Sequence, residues 1–373
     1  MNLLITSLAF APFSGVGAAR MTSLAEYLIN HGHNVTVVSY DSKVFDEKQQ
    51  KRKIPKGIHS ITFQKCKEKK KNQRKIYEII EDCMNETIFD LWIISVGPFE
   101  IMDVIYKLYR KKKVPYIIDY RDIWLFEKNH QKFSLKIEIK QQVYNFLHLP
   151  VEWKVMKNAR KIVFVTEYCR RDIKKRYCLD NTKCEVILNG YEDLPRLKSK
   201  FKVDWDHISL GIAGKFGSYD VTAARDCLNA CRECDEFTAS VYHVGIREEK
   251  FITEFGEPVY YGLGTMDHRE TMELLAKLDV LVIVYQHSVG LGTKVYDYIA
   301  LNKPIIYVGL VPSELSCFIS QFENMFLCRD KQGVLDALKV IHDNRVIKLT
   351  EKDILRFSRE FRNKEYINLI ENI

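Results

Sequence analysis

The run Val280-Leu-Val-Ile-Val284 constrains this chain more than any other stretch. Five consecutive apolar residues are too few for a buried helix and lack the alternation of a half-exposed strand. They predict a parallel strand covered on both faces. Upstream, Met272, Leu275 and Leu278 recur at helical spacing behind the polar stretch that starts at Met266. Downstream, the loop Gln286-His-Ser-Val-Gly-Leu-Gly292 feeds Thr293-Lys-Val-Tyr-Asp-Tyr-Ile-Ala-Leu301, with Thr293 as the expected N-cap, and Lys303-Pro-Ile-Ile-Tyr-Val308 reads as the next strand. Strand, glycine loop, helix and strand form a βαβ unit, whose loop offers bare N–H groups at the positive end of a helix. Lys294 falls in that first turn, where a helix prefers an acid. A cation makes sense there if an anion binds.

The same alternation runs along the rest of the sequence. Strands are predicted at 2–7, 35–39, 58–63, 91–95, 114–119, 161–165 and 185–188, with helices at 17–30, 76–84, 101–109, 135–157 and 170–176. Periodicity lapses between Asn189 and His207, where Gly190, Pro195 and alternating charges predict an interdomain linker. It resumes with strands at 208–213, 238–244, 258–261 and 325–328 and helices at 222–232, 248–255 and 334–342. A terminal amphipathic tract, 353–373, is expected to pack back on the first domain through Phe357, Phe361, Tyr366, Leu369 and Ile370. The class implied is α/β: two Rossmann-like, doubly wound parallel-sheet domains, 1–190 and 205–345, facing across a cleft. A chain of 373 residues suits two such cores. In sheets of this kind ligands sit at the carboxyl ends of the strands.

The formal charge of +8 is unevenly placed. Between Lys51 and Lys75 stand eleven lysines and arginines against Glu68 alone, and Lys111 to Lys113 adds a second knot. This is either a solvated surface or a contact for an anionic membrane or a polyanionic substrate. No aromatic–basic interleaving or groove-reading helix accompanies it, so nucleic acid is not an expected partner. No run approaches the roughly 18 to 20 apolar residues that span a bilayer. The first residues read as a strand rather than a leader, and the ten cysteines lack metal-ligand spacing. The expected setting is cytoplasmic, peripherally at the inner face of the membrane, with reduced thiols and no metal.

Four segments in order then resemble one family. They are Pro12-Phe-Ser-Gly15-Val16-Gly17-Ala-Ala-Arg20, Asp119-Tyr-Arg121-Asp122-Ile-Trp124, the stretch Ala159 to Glu167 with Asn189-Gly190 downstream, and the βαβ unit above. Together the chain resembles the GT-B-fold glycosyltransferases of the GT4-like group, bacterial surface-polysaccharide type. The resemblance implies a transferase moving a sugar, of hexosyl type, from a nucleotide-sugar donor to a glycan or lipid-linked acceptor. It also implies retention of anomeric configuration, with the leaving phosphate as the base, and no cofactor or metal.

Chemistry places the candidates. A breaking diphosphate bond needs backbone N–H groups and fixed cations. Gly211-Ile-Ala-Gly214-Lys215-Phe-Gly217 and Gly292-Thr293-Lys294 each follow a strand, which makes Lys294 the diphosphate contact, Lys215 a second cation, and Gly214, Gly292 and Thr293 their loops. Asp297 can accept from ribose hydroxyls, and it falls where the resemblance places the second acid of a Glu-x7-Glu pair. The first acid would fall at Val289, which cannot play that part, and His287 is the candidate substitute. Gly15, Val16 and Gly17 would let backbone approach a phosphate or the acceptor. Arg20 in place of a third glycine argues against a dinucleotide fingerprint. One of Asp119 and Asp122 could take the acceptor's proton while Arg121 orients the acceptor or binds its phosphate, or a buried Asp–Arg pair could brace the loop with Trp124 as core. Glu167 is a further cleft candidate. Two other readings use the same fold, a nucleotide-sugar 2-epimerase and a non-catalytic glycan-binding subunit.

Overall fold

The computed structural model describes residues 1–46, 52–126, 135–192, 206–343 and 348–373. The chain divides into two compact units, 1–189 with 359–373, and 190–358.

The first unit is built on strands β1 (Asn2–Ser7), β2 (Asn34–Tyr40), β3 (His59–Phe63), β4 (Leu91–Val96), β5 (Tyr116–Tyr120), β6 (Lys161–Phe164) and β7 (Cys184–Val186). All pair in parallel, in the order β3-β2-β1-β4-β5-β6-β7. The apolar runs of β1, β4 and β5 are buried on both faces because helices cover both sides. Alternate residues serve opposite cores: Leu4, Ile94 and Ile118 point to one, Leu3, Ile93 and Ile117 to the other. Helices α1 (Val16–Asn30), α2 (Lys69–Glu86), α3 (Met102–Lys112), α4 (Leu135–Asn158) and α5 (Glu167–Tyr177) follow the strands. The α2–α5 side is filled by Ile76, Ile80, Ile105, Leu108, Met156 and Ile173, the α1 side by Met21, Leu24 and Leu28.

The second unit repeats the plan with β8 (His207–Ala213), β9 (Thr238–Val244), β10 (Tyr260–Gly264), β11 (Val280–Tyr285), β12 (Ile305–Gly309) and β13 (Met325–Cys328), ordered β10-β9-β8-β11-β12-β13, again all parallel. Its helices are α6 (Val221–Arg232), α7 (Glu249–Glu254), α8 (His268–Leu275), α9 (Lys294–Leu301), α10 (Glu314–Ile319), α11 (Lys331–His342) and α12 (Glu351–Leu355). A last helix, α13 (Arg359–Glu371), lies on α1 in the first unit. Strand order reverses beside β1 in one sheet and beside β8 in the other. At such a switch point the two neighbouring loops part and leave a crevice.

Several elements differ from their sequence expectation, each for a tertiary reason. Helix α2 starts at Lys69 rather than near Ile76, so part of the basic run is helical. Buried Asn72 anchors the added turns, accepting from the Cys66 N–H at 2.8 Å and donating to the Tyr40 hydroxyl at 2.6 Å. Strand β10 runs on to Gly264 because Tyr261 and Gly262 find register partners in Tyr242 and His243. The terminal tract is two helices that part company. Phe357 packs with Phe318 and Phe322 in the second unit, whereas Tyr366 and Ile370 enter the first unit's core and Phe361 is exposed. Of the expected linker, 193–205 lies outside the described residues, as does Lys51. Tyr191 donates its N–H to Phe357 O at 3.0 Å, tying that end to the second unit.

Candidate functional site

In the second unit the two loops at the switch point bring the expected cations together. Helix α9 is registered on the sheet by Tyr298, fully buried, whose hydroxyl accepts from the Ala213 N–H at the end of β8 at 2.9 Å. Lys294 stands four residues earlier, so it shares that face of the helix and points at the loop after β8. Its Nζ lies 3.4 Å from Lys215 O and 5.2 Å from the centre of the Tyr219 ring, and Lys215 Nζ lies 5.4 Å from the same ring. Two ammonium groups therefore share one aromatic ring. Burial, and then the Lys215 charge, push the Lys294 amine down to about 8.

The loop that carries Lys215 is held rigidly. Gly214 adopts φ +78°, and a side chain there would meet Lys294 Cε and Nζ at 3.0 Å. Buried His243 on β9 bonds Gly214 O through Nε2 at 2.6 Å and the Tyr260 hydroxyl through Nδ1 at 2.7 Å. With Gly214 O as acceptor, the proton is on Nε2. Burial depresses the imidazole's basicity and keeps it neutral. Across the loop, Thr293 occupies the N-cap of α9; its carbonyl accepts from the Tyr296 N–H at 3.2 Å, but its side chain makes no capping bond. Gly292 and Gly290 take positive φ, and the Gly290 N–H donates to Glu314 at 2.8 Å, which fixes the loop from α10. Arrangements of fixed N–H groups and cations of this kind bind phosphate oxygens.

Two other expected contributors sit at the rim. Asp297 is half-buried and pairs with His268 Nε2 at 3.2 Å. His287 is exposed and stacks edge-on with Tyr285 at 5.2 Å between ring centres, and Tyr219 lies 6.3 Å away. Val289 contributes only its carbonyl, which accepts from the Tyr285 hydroxyl at 3.1 Å.

In the first unit the corresponding switch point lies between the loops after β1 and β4. Arg121, just beyond β5, spans it. Its Nη2 donates to Gly97 O at 2.8 Å, and a side chain at Gly17 would meet Nη1 at 1.7 Å. Gly97 needs its glycine for φ +121°. The guanidinium thus lies directly on the second residue of α1, and its buried Nε has no hydrogen-bond partner. Asp122 is exposed beside it, with Oδ2 3.8 Å from where a Gly97 side chain would begin. Gly15 is the N-cap of α1 and gives way to the Phe13 ring, 2.3 Å from its missing Cβ, while Val16 is exposed.

Two expectations are corrected here. Asp119 is not placed to take a proton from an acceptor. It is fully buried against Arg20, with Nη2 at 2.9 Å and Nε at 3.0 Å, and Arg20 also donates to the carbonyls of Leu188 and Ile187 at 2.9 and 3.0 Å. This pair ties α1, β5 and the 187–189 segment together, so the brace forms with Arg20 and not with Arg121 of the same segment. Glu167 is the first residue of α5, not a free carboxylate. Arg170 at 2.5 Å and Arg171 at 3.0 Å hold it and keep its acidity high. Sequence reading missed Tyr219, His243, His268 and Glu314. His243, His268 and Glu314 lie 24 to 29 residues from the residue each serves, and Tyr219, though four residues after Lys215, meets Lys294 only in the fold. Among the described residues no group of three or more His, Cys, Asp or Glu could hold a metal ion.

Two all-parallel sheets of seven and six strands, each with a phosphate-suited switch point, define the GT-B fold, and solved structures agree. Anabaena HepE in complex with UDP-glucose is 13% identical, with 100% of each chain covered and a TM-score of 0.64. WaaG, a glycosyltransferase involved in lipopolysaccharide biosynthesis, is 14% identical over 98% of this chain and 95% of that one, at 0.60. The UDP-GlcNAc 2-epimerase from Methanocaldococcus jannaschii is 11% identical over 100% of both, at 0.63. At these identities the likeness is one of fold. No curated protein matches the sequence. Residues 17–193 match Glycosyltransferase Family 4. The first unit thus carries the match to that family, and the chain as a whole shares the two-sheet fold of these solved structures.

Proposed function

We propose that this chain takes a hexosyl group from a nucleoside-diphosphate sugar and passes it to a hydroxyl of a glycan or lipid-linked acceptor, in the assembly of a surface polysaccharide. The observation that carries the reading is the convergence of Lys294 and Lys215 on one ring beside the uncapped start of α9. As the anomeric C–O bond breaks, negative charge grows on the diphosphate. Two ammonium groups and the α9 N–H groups are fixed where they neutralise it. Asp297, positioned by His268, accepts from ribose hydroxyls. Arg121 and Asp122 serve the acceptor side, with Gly15, Val16 and Gly17 giving close backbone approach.

With Asp119 locked in an ion pair, the proton of the attacking hydroxyl passes to the departing phosphate. That accords with retention of configuration. The products are the glycoside and the nucleoside diphosphate, and no metal or other cofactor takes part in the proposal. A panel of nucleotide sugars, offered with and without lipid-linked glycan, tests it. Transfer to the acceptor is the expected result. Isomerisation of the donor without acceptor would make the chain an epimerase, and binding without turnover would make it a non-catalytic subunit. Lys294→Ala should weaken UDP binding by roughly 10- to 100-fold, the worth of a charge-assisted contact. Unchanged affinity would remove Lys294 from the site.

A further inference from the structure

Helix α4 carries apolar side chains on two faces. One packs Val155 and Met156 into the core. The other holds Ile139, Val143, Phe146, Leu147, Pro150 and Trp153, all exposed, with Phe146 and Leu147 65% and 69% accessible. Their spacing of i, i+4, i+7, i+8, i+11 and i+14 puts them on one side of the helix, a stripe about 21 Å long at roughly 1.5 Å per residue. Soluble surfaces seldom display contiguous apolar area of this kind without a partner. The stripe leads into a cavity of about 550 Å³, lined by Phe126, Leu149, Pro150, Trp153, Arg176 and Tyr177. Phe126 and Phe146 stack edge-on at 5.7 Å, which joins cavity and stripe.

The flank of the stripe is basic. Lys140, Leu147 and Lys154 lie seven residues apart along one edge, with both lysines exposed. Beyond them Lys69 of α2 sits 5.5 Å over the Tyr144 ring, which brings the helical half of the basic run, with Lys70, to the same side. An apolar helical stripe with a tryptophan, edged by lysines, fits the interface of an anionic bilayer. A second copy of the chain fits less well, since a two-fold contact through the stripe sets like-charged edges near one another. We propose that α4 lies in the plane of an anionic membrane, with its stripe among the acyl chains and the lysines of α2 and α4 on lipid phosphates. The proposal is independent of the sugar chemistry, because neither the stripe nor the lysines belong to the candidate site.

Flotation of the full chain with phosphatidylcholine vesicles, with or without phosphatidylglycerol and with no nucleotide or glycan present, tests it. The chain should float with the anionic vesicles. Phe146→Glu/Leu147→Glu should lower partitioning at least tenfold, by the logic of buried apolar area plus charge. Lys69→Glu/Lys70→Glu should lower it by about fivefold per lysine, and only when phosphatidylglycerol is present. Circular-dichroism melting controls for folding, and Ile139→Gln/Val143→Gln is the milder substitute if the double glutamate variant fails to fold. Wild-type chain left at the bottom of the gradient, or stripe variants that float like wild type, would overturn the proposal. So would sedimentation of a dimer that the stripe variants dissociate, with no vesicle binding.

Discussion

At the residue scale, the charge state of Lys294 has consequences that can be measured. Its amine is depressed to about 8 from an ordinary value near 10.4. Between those values the unfolded chain binds the extra proton and the folded chain does not, so the cost of burying the cation is relieved as pH rises. Apo stability should therefore gain from this group between about pH 8 and 10.5. Buried Lys303, also lowered to about 8 and donating to Leu278 O, adds to the same trend. A bound diphosphate reverses the preference of Lys294, because it favours the ammonium. UDP affinity should be level below pH 8 and fall by up to about tenfold per unit above it, with proton uptake on binding visible by calorimetry in buffers of different ionisation heat. A flat profile to pH 9.5 would show that no anion meets this amine. Asp119 makes the opposite kind of prediction. Asp119→Asn leaves the Arg20 guanidinium buried without its counter-charge, and should cost about 3–5 kcal/mol in denaturant unfolding. Simple loss of a catalytic base would leave stability unchanged.

At the element scale, one glycine in each unit leaves room for a cation, Gly17 for Arg121 and Gly214 for Lys294. Gly17→Ala adds a methyl group where Arg121 Nη1 lies, 1.7 Å away, and the guanidinium must leave Gly97 O. Gly17 lies in the first turn of α1, where alanine gains less than the roughly 1 kcal/mol of a helix interior. That gain offsets part of the lost Arg121 hydrogen bond, so the variant should melt within a few degrees of wild type. Its kcat/KM should nevertheless fall at least tenfold, and a variant that melts normally and transfers normally would show Arg121 to be structural. Gly214→Ala combines the cost of φ +78° for an L-residue, about 1–2 kcal/mol, with displacement of Lys294, so it should lose both stability and UDP affinity. The helix limits show how far local pattern reaches. The run Val280–Val284 sits within β11 because five apolar residues in sequence have few other solutions. The start of α2 was hidden because its lysines carry no apolar period, and Asn72 fixes that turn through contacts with Cys66 and Tyr40.

At the scale of the whole molecule, the last fifteen residues return to the first unit, where Tyr366, Ile367 and Ile370 are buried and Asn363 donates to Ser23 at 2.8 Å. Truncation after Ser358 strips those side chains from the core against α1. At roughly 1.5–3 kcal/mol for each large apolar residue re-exposed, it should unfold the first unit or lower its melting temperature by well over 10 °C. A truncated chain that melts like the full one would deny α13 its part in the core. What the sequence by itself determined is the repeating rhythm: apolar runs of strand length set between helical periods dictate parallel sheets covered on both faces, with glycine-rich loops after several of the strands. That information is local, carried by residues within a turn or two of each other. The tertiary structure alone decided which charges meet. Lys294 and Lys215 stand 79 residues apart and Arg20 and Asp119 stand 99 apart. One pair becomes an anion-suited corner and the other a neutralised brace because the switch point of a folded sheet, and no stretch of chain, sets their distance and their dielectric surroundings.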